Sequence, residues 1–173
     1  MSQQATLPPS PFWEFSLALY DRRGVAAAAI ALQDRHGLDV NLLLFLLWQA
    51  TQRHVFTAAD IKALDQTIGG WRETAVIPLR NVRRALKSAP GLVAPNTAEA
   101  FRTRIKAVEL EAERLQQEAM YALAATMPPA RDATSPVEAA RANIAAYETM
   151  RAVAFPSAAV DTVLTAFAKL EGE

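Results

Sequence analysis

The chain has no cysteine among its 173 residues, which removes disulfide frameworks, thiolate zinc sites, iron–sulfur clusters and cysteine nucleophiles from consideration. It has only six glycines, and it contains no phosphate-cradling glycine loop, no dinucleotide fingerprint and no Gly-x-Ser-x-Gly elbow. No charge of one sign prevails. Eighteen Lys and Arg balance eighteen Asp and Glu, so nothing global draws the chain to phosphate polymers or anionic lipid. Long hydrophobic runs are missing too: the most apolar one, Leu42 to Trp48, has seven residues, where a membrane-spanning helix needs about 20. Met1 to Ser10 is polar, with two prolines, and lacks the basic opening and apolar centre of a secretory signal. The expectation is a cytoplasmic protein with a flexible segment over residues 1–10 and one helical domain over 11–171. A domain of this length hides roughly 70% of the surface its unfolded chain exposes, so its core needs no staple.

What is present is helical punctuation. Ser10 before Pro11 starts a first helix to about Tyr20; its Trp13, Leu17 and Tyr20 share one face and Phe12, Phe15 and Leu19 cover much of the rest, which predicts burial nearly all round. Ala26 to Ala29 and Ala31 mark a second helix that allows close approach, ended by Gly37. Asp39 caps a third, through Asn41 and Trp48 to about His54, which should be central. Thr57 opens a fourth, interrupted at Gly69–Gly70, and a further segment over Trp71 to Lys87 should kink at Pro78. Ser88 to Pro95 reads as a loop. Asn96 and Glu99 have capping-box spacing ahead of a long helix to about Met127. There Phe101, Ile105, Val108, Ala112, Leu115, Ala119 and Ala122 form a heptad seam, read as an arm against the Trp71–Lys87 segment, with a coiled-coil dimer as the alternative. After a linker from Pro128 to Thr134, Ser135, Pro136 and Glu138 open a helix carrying Ala140, Ile144 and Tyr147. A last helix from about Ser157 to Leu170 turns Val160, Val163, Leu164 and Phe167 to one side. No segment has strand periodicity. The fold expected is all-α, an irregular bundle of six or seven helices with a long helical hairpin.

Several of these stretches resemble a family of small proteobacterial proteins known only as a domain of unknown function. The resemblance rests on Phe12-Trp13-Glu14-Phe15-Ser16-Leu17, on Leu32-Gln33-Asp34 with Gly37 and Asp39-Val40-Asn41-Leu42-Leu43-Leu44-Phe45 and Trp48, and on Trp71 with Pro78-Leu79-Arg80 and Arg83-Arg84-Ala85-Leu86-Lys87. It extends to Glu109-Leu110-Glu111-Ala112-Glu113-Arg114 and to Asn143 with Tyr147. It implies a helical fold in a bacterial cytoplasm, and it brings no activity, ligand or catalytic residue.

Arg80, Arg83, Arg84 and Lys87 fall at i, i+3, i+4, i+7, a basic stripe beside the apolar face of Leu79, Val82 and Leu86. Arginine's planar fork suits a phosphate, a carboxylate or an acidic partner helix. The ordinary reading is internal pairing with Glu109, Glu113 and Glu118 of the long helix. Glu109 and Glu113, or Asp34 and Asp39, are the only candidates for an all-oxygen metal site. With His36 and His54 the sole histidines and no Glu-x-x-His motif, neither metal nor cofactor is expected. Gln33, Asp34, Asp39 and Asn41 place polar groups beside the most apolar helix. They are either caps and a hydrogen-bond network at the corner between the second and third helices, or the polar end of a pocket lined by Trp13, Tyr20, Trp48 and Trp71.

Three functions compete. The first is a non-catalytic protein-interaction or regulatory module that presents the basic stripe, with Glu109 and Glu113, to a protein partner. The second is a pocket protein, or an enzyme without a familiar motif, taking a small apolar or anionic molecule between the aromatics and the arginines. The third, nucleic-acid binding through Arg80 to Lys87, is disfavoured because net charge is zero and no aromatic interleaves with the basic residues. No membrane insertion is expected.

Overall fold

Ser10 does what its place ahead of Pro11 predicts: its hydroxyl accepts from the Trp13 amide at 3.1 Å and starts α1 (Pro11–Tyr20). The computed structural model describes residues 8–88, 91–127 and 131–172. The expected flexible segment thus falls largely outside the described residues, as do two positions of the Ser88–Pro95 loop and three of the Pro128–Thr134 linker. α2 (Val25–His36) ends at Gly37, whose φ of 61° is the left-handed conformation that favours glycine. Asp39 accepts from the Asn41 and Leu42 amides and opens α3 (Val40–Thr51). Asn41 to Leu47, Gln49 and Ala50 of α3 are all buried, so this helix is the centre of the molecule. It stops three residues before His54, at a left-handed Arg53.

His54–Val55 (β1) pairs antiparallel with Arg131–Asp132 (β2), His54 opposite Asp132 and Val55 opposite Arg131. Two residues per strand are too few to show a period of two, so the sequence could not display it. Thr57 and Asp60 form a reciprocal capping box for α4 (Ala58–Trp71). The helix runs straight through Gly69–Gly70, contrary to the expected break. The irregularity lies further on, in a π-helical turn, Arg72–Val76, that joins α4 to α5 (Ile77–Ala85). Pro78 explains it. Without an amide hydrogen it cannot bond the carbonyl of Thr74, and its ring crowds that carbonyl; widening the turn lets the Ile77 amide reach back five residues to the Arg72 carbonyl instead.

A 3₁₀ turn, Leu86–Ser88, ends this rod, and α6 (Pro95–Ala124) returns antiparallel to it. The capping box expected at Asn96 is absent. Pro95 takes the first helical position after Ala94, with no side-chain cap, because its fixed φ and missing N–H suit that place. α7 (Pro136–Arg151) is capped by Ser135 and carries Ala139, Ala140, Asn143, Ile144 and Tyr147 inward. α8 (Ser157–Glu171) buries Val163, Leu164, Ala166 and Phe167. Counting α4, the π turn and α5 as one bent rod, the described residues make an all-α bundle of seven helices. α3 and α7 pack together at the centre, α2 lies on α8, and α5 on α6.

One aromatic cluster knits α1 to α3. Phe12 lies edge-on to Phe45 at 5.5 Å between centroids and against Trp48 at 5.3 Å, and Trp48 meets Tyr121 at 5.5 Å. Such pairs add about 0.5–1.5 kcal/mol beyond their buried area. Two of the apolar patterns are used differently from expectation. α1 buries Phe12, Ser16 and Leu19 but leaves Leu17 half exposed. On α6 the heptad seam is only in small part the inward face: Phe101, Val108 and Leu115 are about half exposed, and Ala112 is the seam residue that joins the buried row of Glu109, Ala112, Gln116, Gln117 and Met120. Polar residues occupy that face because the neighbouring elements supply partners for Glu109, for Gln116 and for the NH₂ of Gln117.

Candidate functional site

The hairpin of α5 and α6 is held by charge. Arg83 grips Glu109 with its fork, Nε on one carboxylate oxygen and a terminal nitrogen on the other at 3.1 Å. Arg80 bridges Glu109 at 3.2 Å and Glu113 at 2.7 Å. Glu109 is 4% exposed, so two guanidinium groups neutralise a carboxylate taken out of water. Hydrogen bonding to Glu109 raises the Arg83 pKa still further above its ordinary value. The rest of the stripe lies elsewhere. Arg84 pairs with Asp34 across the surface and not with the α6 glutamates, and that contact holds the Asp34 carboxyl below its usual range. Lys87 is exposed. Glu118, the third expected partner, instead accepts from the Ser10 amide at 3.0 Å and stands 4.0 Å from Arg114. Arg80 and Arg83 meet α6, Arg84 stands one position further round towards α2, and Lys87 lies past the helix end in the Leu86–Ser88 turn.

Above these pairs α1, α2, α3, α5 and α6 leave an open cleft of about 440 Å³. Trp13, Leu17, Ile30, Leu44 and Leu110 form its apolar walls. Tyr20 and the Arg80, Arg83, Glu109 and Glu113 set also face the cleft, and Ser16, Asn41 and Gln117 line it as well. Burial pushes the Glu113 carboxyl up, against the pull of Arg80; burial, with Glu113 beside it, does the same to the Tyr20 hydroxyl. Of the expected aromatic lining, the cleft thus takes Trp13 and Tyr20 and leaves out two. Trp48 stacks within the core against Phe12, Phe45 and Tyr121. Trp71 donates its indole N–H to the Ala112 carbonyl at 2.9 Å and is 44% exposed. Both stand on other helix faces, which shared residue type does not reveal.

Behind the cleft runs a buried polar chain. Gln117 Nε2 donates to Asn41 Oδ1 at 2.8 Å, Asn41 Nδ2 donates to Gln116 Oε1 at 3.0 Å, and Gln116 Nε2 donates to Asp39 Oδ2 at 3.1 Å. Arg72 closes the chain, bridging Asp39 at 2.9 Å and Asp65 at 2.6 Å, and the Asp39 amide donates to the Tyr147 hydroxyl at 3.0 Å. The network expected at the corner of α2 and α3 therefore extends to α4, α6 and α7. A second cleft, of about 380 Å³, has Gln33, Asp39 and Arg80 in its wall as well, but there Arg84 is paired with Asp34, and Arg72 with Asp39 and Asp65. Among the described residues no group of three or more His, Asp or Glu side chains is placed to hold a metal ion, and no helix is long and apolar enough to cross a membrane.

Two groups at the cleft went unread in the sequence. Ser16 is 3% exposed and Gln117 2%, and Ser16 Oγ and Gln117 Oε1 are buried without a hydrogen-bond partner. The available signals were a lone serine in an apolar helix and the spacing of Glu109, Glu113, Gln116 and Gln117, which puts four polar side chains on one face of α6. A family model described as a protein of unknown function (DUF2390) matches residues 11–120. That span holds every residue of the cleft, while Asn143 and Tyr147 lie beyond it. No curated protein and no solved structure matches the chain.

Proposed function

We propose that this chain, which belongs to that family of proteins of unknown function, binds a small amphipathic molecule in the cleft between α1, α2, α3, α5 and α6. One observation carries the reading: a space of about 440 Å³ is lined by two residues whose buried oxygens, Ser16 Oγ and Gln117 Oε1, have no partner. Leaving a buried polar group unpaired costs about 1–3 kcal/mol, so each such group calls for a partner from outside the chain, a water, an ion or a ligand. An apolar wall with a few convergent polar groups is the usual build of a small-molecule site. Here Trp13, Leu17, Ile30, Leu44 and Leu110 offer the wall, and Arg80 and Glu113 the charged rim.

Native mass spectrometry of the gently purified protein tests this. A retained small molecule is expected, and it should be lost from Ala26→Trp, whose indole fills the cleft from the α2 side while circular dichroism stays unchanged. No bound mass in either protein, together with no thermal shift across a set of small amphipathic compounds, would end the proposal.

The protein-interaction reading keeps one supporting observation. Phe101, Val108 and Leu115 stand about half exposed at seven-residue spacing along α6, a row suited to another helix. Arg80 and Arg83 are engaged within the chain, so a partner on the stripe would meet chiefly Arg84 and Lys87.

A further inference from the structure

The orientation of a buried amide is set by its hydrogen-bond network, and here the network has a fixed end. Asp39 is an N-cap whose Oδ1 accepts from backbone amides and whose Oδ2 accepts from Arg72 and Gln116. A carboxylate only accepts. Gln116 must therefore present its NH₂ to Asp39 and its carbonyl to Asn41. Asn41 must in turn give its NH₂ to Gln116 and its carbonyl to Gln117, and Gln117 spends its NH₂ on Asn41. What is left over, by polarity alone, is the carbonyl Oε1 of Gln117, an acceptor without a donor in a residue that lines the cleft. Ser16 lines the same cleft, and its hydroxyl oxygen lacks a partner as well.

We infer that the cleft selects a ligand with a hydrogen-bond donor, a hydroxyl or amine on an apolar body, and discriminates against the corresponding ketone or ether. The inference rests on the binding reading above and adds the chemical class of the ligand. Asp39 is the positioning residue: it stands in the cleft wall itself, and through Gln116 and Asn41 it dictates which end of Gln117 is left unpaired. Asparagine caps a helix about as well as aspartate, and in Asp39→Asn a side-chain NH₂ in place of Oδ2 would donate to Gln116, while Arg72 gives up Asp39 as an acceptor and keeps Asp65. Each amide of the chain would then reverse, and Gln117 would present its NH₂.

The test uses 1-phenylethanol and acetophenone, which differ as donor and acceptor on the same skeleton, with ligand-observed saturation-transfer NMR on the full chain. Native protein should prefer the alcohol by about tenfold, the ratio one missing hydrogen bond gives. Asp39→Asn should erase the preference by strengthening acetophenone binding, since the hydroxyl and the ketone oxygen both accept from an NH₂; a merely structural role for Asp39 would not do this. Gln117→Met, near in size and lacking the carbonyl, should abolish the preference, and it decides the matter alone if Asp39→Asn does not fold. Equal binding of both probes to native protein would overturn the inference, with a water then satisfying Gln117, and leave the binding reading standing. An unchanged preference in folded Asp39→Asn would overturn the positioning role. Failure of both probes to bind would count against the cleft as a site for small molecules of this kind.

Discussion

Glu113 makes the sharpest case at the scale of single residues. Burial raises its carboxyl above the ordinary value of 4.5, so the folded protein holds that proton more tightly than the unfolded chain does. The stability this proton brings is complete below the ordinary range and falls away as pH rises through the raised value. Glu113→Gln is neutral throughout, so its urea midpoint relative to wild type should climb as pH rises above 4.5. A parallel pH dependence of the two proteins would mean that Arg80 fully offsets the burial. Caps were readable one residue at a time, because Ser10, Asp39, Thr57 and Ser135 each act on amides two or three positions ahead. Ser16 and Gln117 were not. What a serine or an amide does is decided by atoms far away in the chain, and no local pattern carries that.

Helices were legible as elements, and the contacts between them were not. The kink at Pro78 was expected, but its form, a π turn, sets the phase of all of α5. One residue more than a regular helix needs turns Arg80 and Arg83 onto Glu109. Deleting Glu73, exposed within the π turn, together with Pro78→Ala, which removes the crowding that widens the turn, should restore a regular helix and rotate α5 by about 100°. Glu109 would then be buried without its arginines, and the loss should be about 3–5 kcal/mol in urea unfolding. Glu109→Gln in that background should recover part of it, whereas in wild type the same change destabilises; equal effects in both backgrounds would refute the phase argument. The α6 seam teaches the converse. A heptad of apolar residues predicts a buried stripe, yet the inward face is polar because Arg80, Arg83 and Asn41 meet it.

The whole molecule closes around α3, and the closure is partly polar. Asn143 of α7 is fully buried. Its carbonyl accepts from the Phe56 amide at 2.8 Å, and its NH₂ donates to the Leu46 and His54 carbonyls at 3.0 and 2.9 Å. One side chain thus joins α7, the middle of α3 and the β1 strand. Asn143→Ala leaves the Phe56 amide and the His54 carbonyl without this partner, the Leu46 carbonyl keeping its bond within α3, and should cost about 2 kcal/mol or more; a loss within about 0.5 kcal/mol, the size of an ordinary surface change, would show that water replaces it. By itself the sequence determined the helical class, most helix boundaries, the caps at Ser10, Asp39, Thr57 and Ser135 though not the one expected at Asn96, the central place of α3 and the family, since each depends on residues within a few turns of one another or on the pattern as a whole. The tertiary structure alone decided that the basic stripe divides between Glu109, Glu113 and Asp34, that only Trp13 and Tyr20 of the aromatics meet at the cleft, and that an acceptor stands unpaired beside it. These turn on the relative rotation of packed helices, and rotation is set by the whole set of contacts rather than by any segment's own preferences.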